Sequence, residues 1–423
     1  MHAKKISNFS QKLASLAIDI FKGNTAPKEG RFRTVSDVKV KYTLTGAQLE
    51  SYEAICRDLL IQYQWSEKFS EAFLNKAIDN ILCQVLGNGC DKALCQQLFE
   101  KLATDYAQFQ QEQIVYIPLS GVRLLVDFVK FGDVVLTQMT SQRLEQLSSK
   151  IEHIVTSRRE NPVQHNQLVS WHRREVLAPI NGRVCGVCHI VAEPIRAKEL
   201  AEASVHLVLD LLRFAIPFIY NEDQQVSVGL QGEVSRDVRM TPMVTSDASM
   251  FNWQSELVGP KTPFDITDQT INQMKQIGVF DVAALLGHDE LSEYQETLLR
   301  GIHWFANSQT QDESENILLG LITCIETFLT PRDGGPVTTA IAESIAIIGG
   351  KDLESRKHLK KKVKGLYRLR SRVSHGGKKA ILDADLAELR QIAAGLTMTM
   401  IQKRNDFESI SAFLEWIEDQ KLS

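Results

Sequence analysis

Residues 353–377 read LESRKHLKKKVKGLYRLRSRVSHGG. Val363, Leu366, Tyr367 and Leu369 fall at three- and four-residue spacing, which predicts a single helix over 353–374 with one packing side. Gly376-Gly377 end it, because glycine takes the left-handed terminating conformation without a Cβ clash. His375 therefore stands at or just past the helix C-terminus, where the partial negative charge of the last carbonyls favours imidazolium. On both sides of this stretch the apolar spacing stays helical, over 267–277, 292–307, 313–329, 337–348, 383–403 and 407–420. Strand signals stop after Phe264, so the C-terminal part reads as an all-α bundle.

Towards the N-terminus the period changes. Ile114-Val115-Tyr116-Ile117-Pro118-Leu119 and Val134-Val135-Leu136-Thr137 read as short strands, 183–192 as a buried strand, and 225–228 and 238–244 as further strands. After Pro194 a helix places Leu200, Ala203, Leu207, Val208, Leu211 and Leu212 on one face. Before residue 111 the spacing is helical again, over 48–63, 70–86 and 91–110. The expected fold class is α+β, a mixed α/β N-terminal region followed by a C-terminal helical bundle. Its expected parts are a helical region over 1–111, an α/β sensing or regulatory region over 112–260, and a helical domain over 261–423. A chain of 423 residues is long enough for two or three separate cores.

Seven cysteines at irregular spacing give no disulfide framework and fit reduced thiols in a cytosol. The N-terminal stretch lacks the apolar length of a signal peptide, Asp19 interrupting it, and no segment approaches the roughly 20 apolar residues of a spanning helix. The expected location is cytoplasmic, with no membrane partner. The formal net charge is −4, yet the eleven bases between Ser355 and Lys379 have no acid among them. One basic element thus stands on an otherwise acidic chain, and the distribution of charge rather than its sum decides whether a polyanion docks. Lys360, Lys361, Lys362, Lys364, Arg368 and Arg372 are the candidate phosphate contacts. A solvated helix face is the plainer explanation of the same run.

Arg370 and His375 lie five residues apart, about 140° around an ideal helix, so they do not stack on one face. They can both border one groove if the helix end unwinds, or if a second protomer brings an identical pair across a two-fold axis, and the spacing fits a composite site in a homodimer better than a self-contained one. The pair suits RNA. That polymer carries its own nucleophile in the 2′-hydroxyl, so cleavage needs a base, supplied by His375, and a cation against the charged phosphorane, supplied by Arg370. The scheme calls for no metal and no cofactor. An arginine and a capping histidine at this spacing also arise by chance, but the flanking Leu-Tyr, Ser and Gly-Gly weigh towards function.

The segment Gly365-Leu366-Tyr367-Arg368-Leu369-Arg370-Ser371-Arg372-Val373-Ser374-His375-Gly376-Gly377 resembles the LY-x-x-RS-x-x-x-HG pattern of the Apea-like branch of the HEPN domains. Gly301-Ile302-His303-Trp304-Phe305-Ala306 and the helix ending Cys324-Ile325-Glu326-Thr327-Phe328-Leu329 extend the likeness over about 264–410. The resemblance implies that Arg370 and His375 line a ribonuclease site that Ser371 assists. Dimerisation would join two motifs, and the activity would serve phage defence by arresting the host. A regulatory or phage-derived protein partner is then expected. Some members of the superfamily only bind nucleotides or scaffold. Tyr367 and Glu326 are supporting residues, Glu326 being read first as the ion-pair partner of a base on a neighbouring helix.

Cys185-Gly186-Val187-Cys188-His189 reproduces the C-x-x-C-H string of haem attachment. In a strand, however, residues three apart face opposite ways, so buried thiols are the expectation. Cys83, Cys90 and Cys95 lack a fourth ligand and read as helix core. Trp171-His172-Arg173-Arg174, close to the break at Asn161-Pro162, reads equally as a contact surface or a loop anchor.

Overall fold

The structure is a computed structural model that describes residues 3–22, 32–36, 41–62, 65–108, 112–158, 162–221, 224–233, 237–244, 251–258, 262–288, 290–330, 337–374 and 381–422. It divides into two compact units, Met1–Val115 with Cys188–Ala203, and Tyr116–Val187 with Ser204–Ser423. The chain is α+β, with strands in its first two-thirds and helices after Ile266.

The first unit opens with α1 (Ala3–Lys22), a hairpin of β1 (Phe32–Ser36) and β2 (Lys41–Thr45), then α2 (Ala47–Gln62), α3 (Glu71–Gly87) and α4 (Lys92–Gln108). Its core gathers Phe9, Leu13, Leu44, Tyr52, Trp65, Phe69, Leu82 and Phe99. The α3 N-terminus is capped twice. The Ser70 hydroxyl accepts from the Phe73 amide at 3.0 Å, and the Ser70 amide donates to the buried Glu193 carboxylate at 3.1 Å. Glu193 also takes the amides of Ile195 and Arg196, so one buried carboxylate satisfies orphan donors of two helix starts.

The second unit contains β3 (Glu112–Ser120), β4 (Val122–Leu124), β5 (Phe128–Phe131), β6 (Val134–Gln138), α5 (Ser141–Arg158), α6 (Pro162–Trp171), β7 (Val184–Val191) and α7 (Pro194–Ile219), the terminal parts of β3, β7 and α7 belonging to the first. Next come β8 (Gly229–Leu230), the antiparallel pair β9 (Asp237–Val244) and β10 (Phe251–Val258), and β11 (Phe264–Ile266). Five strands form a sheet in the order β5-β6-β7-β3-β8, and β11 runs parallel to β4. The sequence placed a strand at 225–228, stopped by Gly229. The structure instead pairs Gly229 and Leu230 with Ser120 and Leu119. Within the expected strand Val226 makes an isolated bridge to Thr262, and Ser227 lies against Gly121, at φ +73°, where a Cβ would stand 2.0 Å from the Ser227 carbonyl oxygen. The backbones approach too closely there for any other residue.

The helical remainder is α8 (Asp268–Gln276), α9 (Val279–Leu285), α10 (Glu293–Ser308), α11 (Ser314–Leu329), α12 (Val337–Gly349), α13 (Leu353–Ser374), α14 (Asp383–Gln402) and α15 (Ile410–Leu422). Capping boxes start two of them, Thr267 with Thr270 at α8 and Ser292 with Gln295 at α10. Helices α10 and α11 lie antiparallel: Gly301 meets Phe328, the Cys324 thiol meets the Phe305 backbone, and Ser308 meets Gly320. Tyr294, Phe407, Phe413 and Trp416 form an aromatic cluster at the α10–α15 end. This bundle shares the unit with the sheet. Phe131 stacks on Phe280 at 5.0 Å, Phe214 meets Phe305 edge-on at 5.5 Å, and Arg123 pairs with Asp265. Among the described residues no helix is long and apolar enough to cross a membrane.

Candidate functional site

Helix α13 is set by its first turn and one buried side. The Asp352 carboxylate accepts from the Ser355 amide at 2.8 Å while the Ser355 hydroxyl accepts from the Asp352 amide at 3.0 Å. These bonds hold the Asp352 carboxyl below its usual range. Val363, Leu366, Tyr367 and Leu369 are buried, as their spacing predicts, against α11 and α12.

The cations of α13 sort by direction. At about 100° per residue, Lys357, Lys361, Lys364, Arg368 and Arg372 fall within an arc of about 80°, which we call the front of the helix. Lys360 and Lys362 lie about 100° to either side of Lys361, and Arg370 lies about 180° from it. Acids on three neighbouring helices meet the flanks and the back. Lys360 pairs with Glu343 of α12 at 2.8 Å, Lys362 with Glu388 of α14, and Arg370 with Glu326 of α11 at 3.7 Å. The Lys360 hydrogen bond holds the Glu343 carboxyl below its usual range. Lys357 pairs with Glu354 of the first turn at 2.9 Å, and the other four front cations have no acid partner among the described residues. Arg372 donates from Nε to the Arg368 carbonyl at 3.2 Å. The run without acids in sequence is therefore partly neutralised in space, and Lys361, Lys364, Arg368 and Arg372 are its cations that meet no acid among the described residues.

Arg370 stands one turn before the end of α13, with its side chain 42% exposed. A separation of 3.7 Å makes its contact with Glu326 an ion pair rather than a hydrogen bond. Its Nε and the Tyr367 hydroxyl are both buried without a hydrogen-bond partner among the described residues. Burial, and then the Glu326 charge, push the Tyr367 phenol above its usual range, so it stays a neutral donor. Arg370, Tyr367 and Glu326 thus form one polar cluster on the back of α13. Ser371 is exposed beside it. His375, with Gly376, Gly377, Lys378 and Lys379, lies outside the described residues.

A second constellation escaped the sequence reading. His303 of α10 places Nδ1 at 2.8 Å from Oδ2 of Asp210, an α7 carboxylate only 6% exposed. Arg213 pairs with the other Asp210 oxygen at 3.3 Å, donates from Nε to the Val228 carbonyl at 3.0 Å, and faces Glu233, which His206 approaches at 3.9 Å. The available signal was Asp210 itself, an acid amid the apolar face of α7, because a buried charge requires a partner. His303 lies two residues after Gly301 and Glu326 two before Phe328, so each sits about 200° round its helix from the α10–α11 seam. Both point away from that seam.

The Asp210 hydrogen bond raises His303 above the ordinary histidine value of 6.5. A histidine raised in this way contributes stability that is complete below its unfolded pKa and is lost as pH rises through the folded one. Asp210→Asn is therefore expected to lower the His303 midpoint in an NMR titration and to cost more stability at pH 5 than at pH 9. An unchanged midpoint would count against the pairing.

Cys185 and Cys188 are buried in β7, and His189 is exposed beside Glu112 at 3.2 Å. Among the described residues no group of three or more histidine, cysteine or acidic side chains is placed to hold a metal. Trp171 is about half exposed, whereas Arg173 anchors its segment to Ser148 and Glu152 of α5. Comparison with protein-family models, with curated proteins and with solved structures returned no match to this chain.

Proposed function

We propose that this chain is a cytoplasmic, metal-independent endoribonuclease of the HEPN type that acts as a homodimer, in phage defence or toxin-like growth arrest. The observation that supports it best is the organisation of α13. One arginine, Arg370, is held by Glu326 a turn from the helix end, followed in sequence by His375, on a helix whose front carries four cations with no acid partner among the described residues. In this reading the front attracts the RNA backbone, Arg370 stabilises the phosphorane and His375 takes the 2′-hydroxyl proton. The 5′-oxygen leaves and a 2′,3′-cyclic phosphate remains. The test is cleavage of RNA in chelator by wild type and by His375→Ala. Loss of the general base is expected to slow cleavage by about 10²- to 10⁴-fold. Equal rates from both proteins would remove His375 from the mechanism.

The engagement of Arg370 by Glu326 favours a second reading, in which this pair is structural and the protein binds RNA or nucleotide, or another protein, without cutting. RNA retention that survives His375→Ala, with no cyclic-phosphate product from wild type, would select it.

A further inference from the structure

A cleft of about 640 Å³ opens in the first unit between α2, β1 and the start of α3, a size ordinary for a small-molecule site. Tyr52 and Cys56 are its buried floor, and burial pushes the Cys56 thiol up to about 12, so that floor is uncharged. Arg33 lies over the Tyr52 ring at 4.9 Å, and the Asp79 carboxylate accepts from both the Arg33 guanidinium and the Tyr52 hydroxyl at 2.7 Å. This clamp fixes the guanidinium, yet its Nε is buried with no hydrogen-bond partner among the described residues. A buried donor left without an acceptor is costly, and an acceptor entering the cleft removes that cost. Arg57, exposed on the α2 wall, also meets no acid among the described residues, although Glu53 stands one helical turn before it.

Acids line the same cleft. Tyr52 meets Asn75 of α3, and Cys56, one turn further along α2, feels the charge of Glu71, one turn back along α3, so the two helices run antiparallel. Charges of both signs therefore recur along the cleft. Arg33 and Glu53 stand at the level of Tyr52, and Arg57 and Glu71 stand one turn on, about 6 Å further along α2. Leu60 and Ile61 supply an apolar end another turn away. We propose that this cleft binds a zwitterion with an aliphatic side chain, a free amino acid or a short peptide. Arg33 and Arg57 take its carboxylate, Glu71 its ammonium, and Leu60 and Ile61 its side chain. Two carboxylates in the lining repel a polyanion such as a nucleotide, and two guanidiniums repel a simple cation. The site lies within the first unit and stands independently of whether the chain cleaves RNA.

Calorimetric titration of the full chain with L-leucine and with trileucine tests the site. N-acetyl-leucine and leucinamide, each lacking one of the two charges, test its chemistry. Saturable binding of at least one zwitterion is expected, with both blocked forms of leucine at least about tenfold weaker than leucine or trileucine, whichever binds. Arg57→Gln and Glu71→Gln should each weaken binding by about ten- to a hundredfold, the range for a lost hydrogen bond to a charged group. Both side chains are exposed, so the thermal midpoint without ligand should hold in either variant. Glu50→Gln is the control, because Glu50 is an exposed α2 acid outside the cleft, and it should keep full affinity. Binding of leucine alone identifies a free amino acid as the occupant, and binding of trileucine alone identifies a peptide. Failure of both to bind, equal binding of the blocked forms, tighter binding of inorganic phosphate or of adenosine monophosphate, or full affinity in Arg57→Gln would overturn the proposal.

Discussion

Arg370→Ala is expected to lower RNA cleavage by about two to three orders of magnitude while RNA retention on the front of α13 persists. The separation follows from direction, because Arg370 lies on the back of the helix beside Glu326 and Tyr367, and the front cations lie across the helix axis from it. Arg370→Lys keeps the charge but loses the planar fork that can meet two phosphoryl oxygens, so only part of the rate should return. Glu326→Gln addresses the positioning of that fork. Arg370 keeps its charge and loses the carboxylate that aims it, so kcat should drop more than KM changes. If the active cleft is composite, an Arg370→Ala protein mixed with one lacking the four front cations that meet no acid among the described residues should recover cleavage that neither shows alone. Persistence of near wild-type cleavage in Arg370→Ala would remove this cluster from the chemistry.

What the sequence made legible here, and what it hid, divides along range. The helices from 267 onward are long and strongly periodic, and the structure places them within a few residues of the expected limits, although α9 was missed because seven residues hold too few turns to show a period. The β1–β2 hairpin lies inside a stretch read as helical. Its buried Tyr42 and Leu44 do alternate, but five-residue strands offer only two or three repeats. Helix α13 was predicted from its own residues, and Glu326 was expected to pair with a base on a neighbouring helix, yet the pairing of Lys360 and Lys362 was invisible because Glu343 and Glu388 come from two other helices. The same holds for His303, whose carboxylate partner is 93 residues away. Local sequence reports periodicity and caps. Charge compensation is settled by neighbours that only the fold brings together.

Gly301→Ala is expected to destabilise the protein by about 1–3 kcal/mol, although alanine is the better helix former at an ordinary position. A Cβ at residue 301 would stand 1.9 Å from Cζ of Phe328 and 2.3 Å from Cε1, and Phe328 is fully buried, so the ring has no solvent to retreat into. The clash sits on the α10–α11 seam, two residues from Glu326, and relief by sliding the helices would displace the carboxylate that holds Arg370. Activity should therefore fall along with the urea midpoint. Phe328→Ala alone removes a buried ring and is expected to cost about 3–5 kcal/mol. Combined with Gly301→Ala, it clears the space the new methyl needs, so the double variant should lose clearly less than the sum of the two single losses. Additive losses, or a Gly301→Ala protein as stable as wild type, would mean that the seam relaxes freely and that the close approach of Phe328 to Gly301 does not fix the position of Glu326.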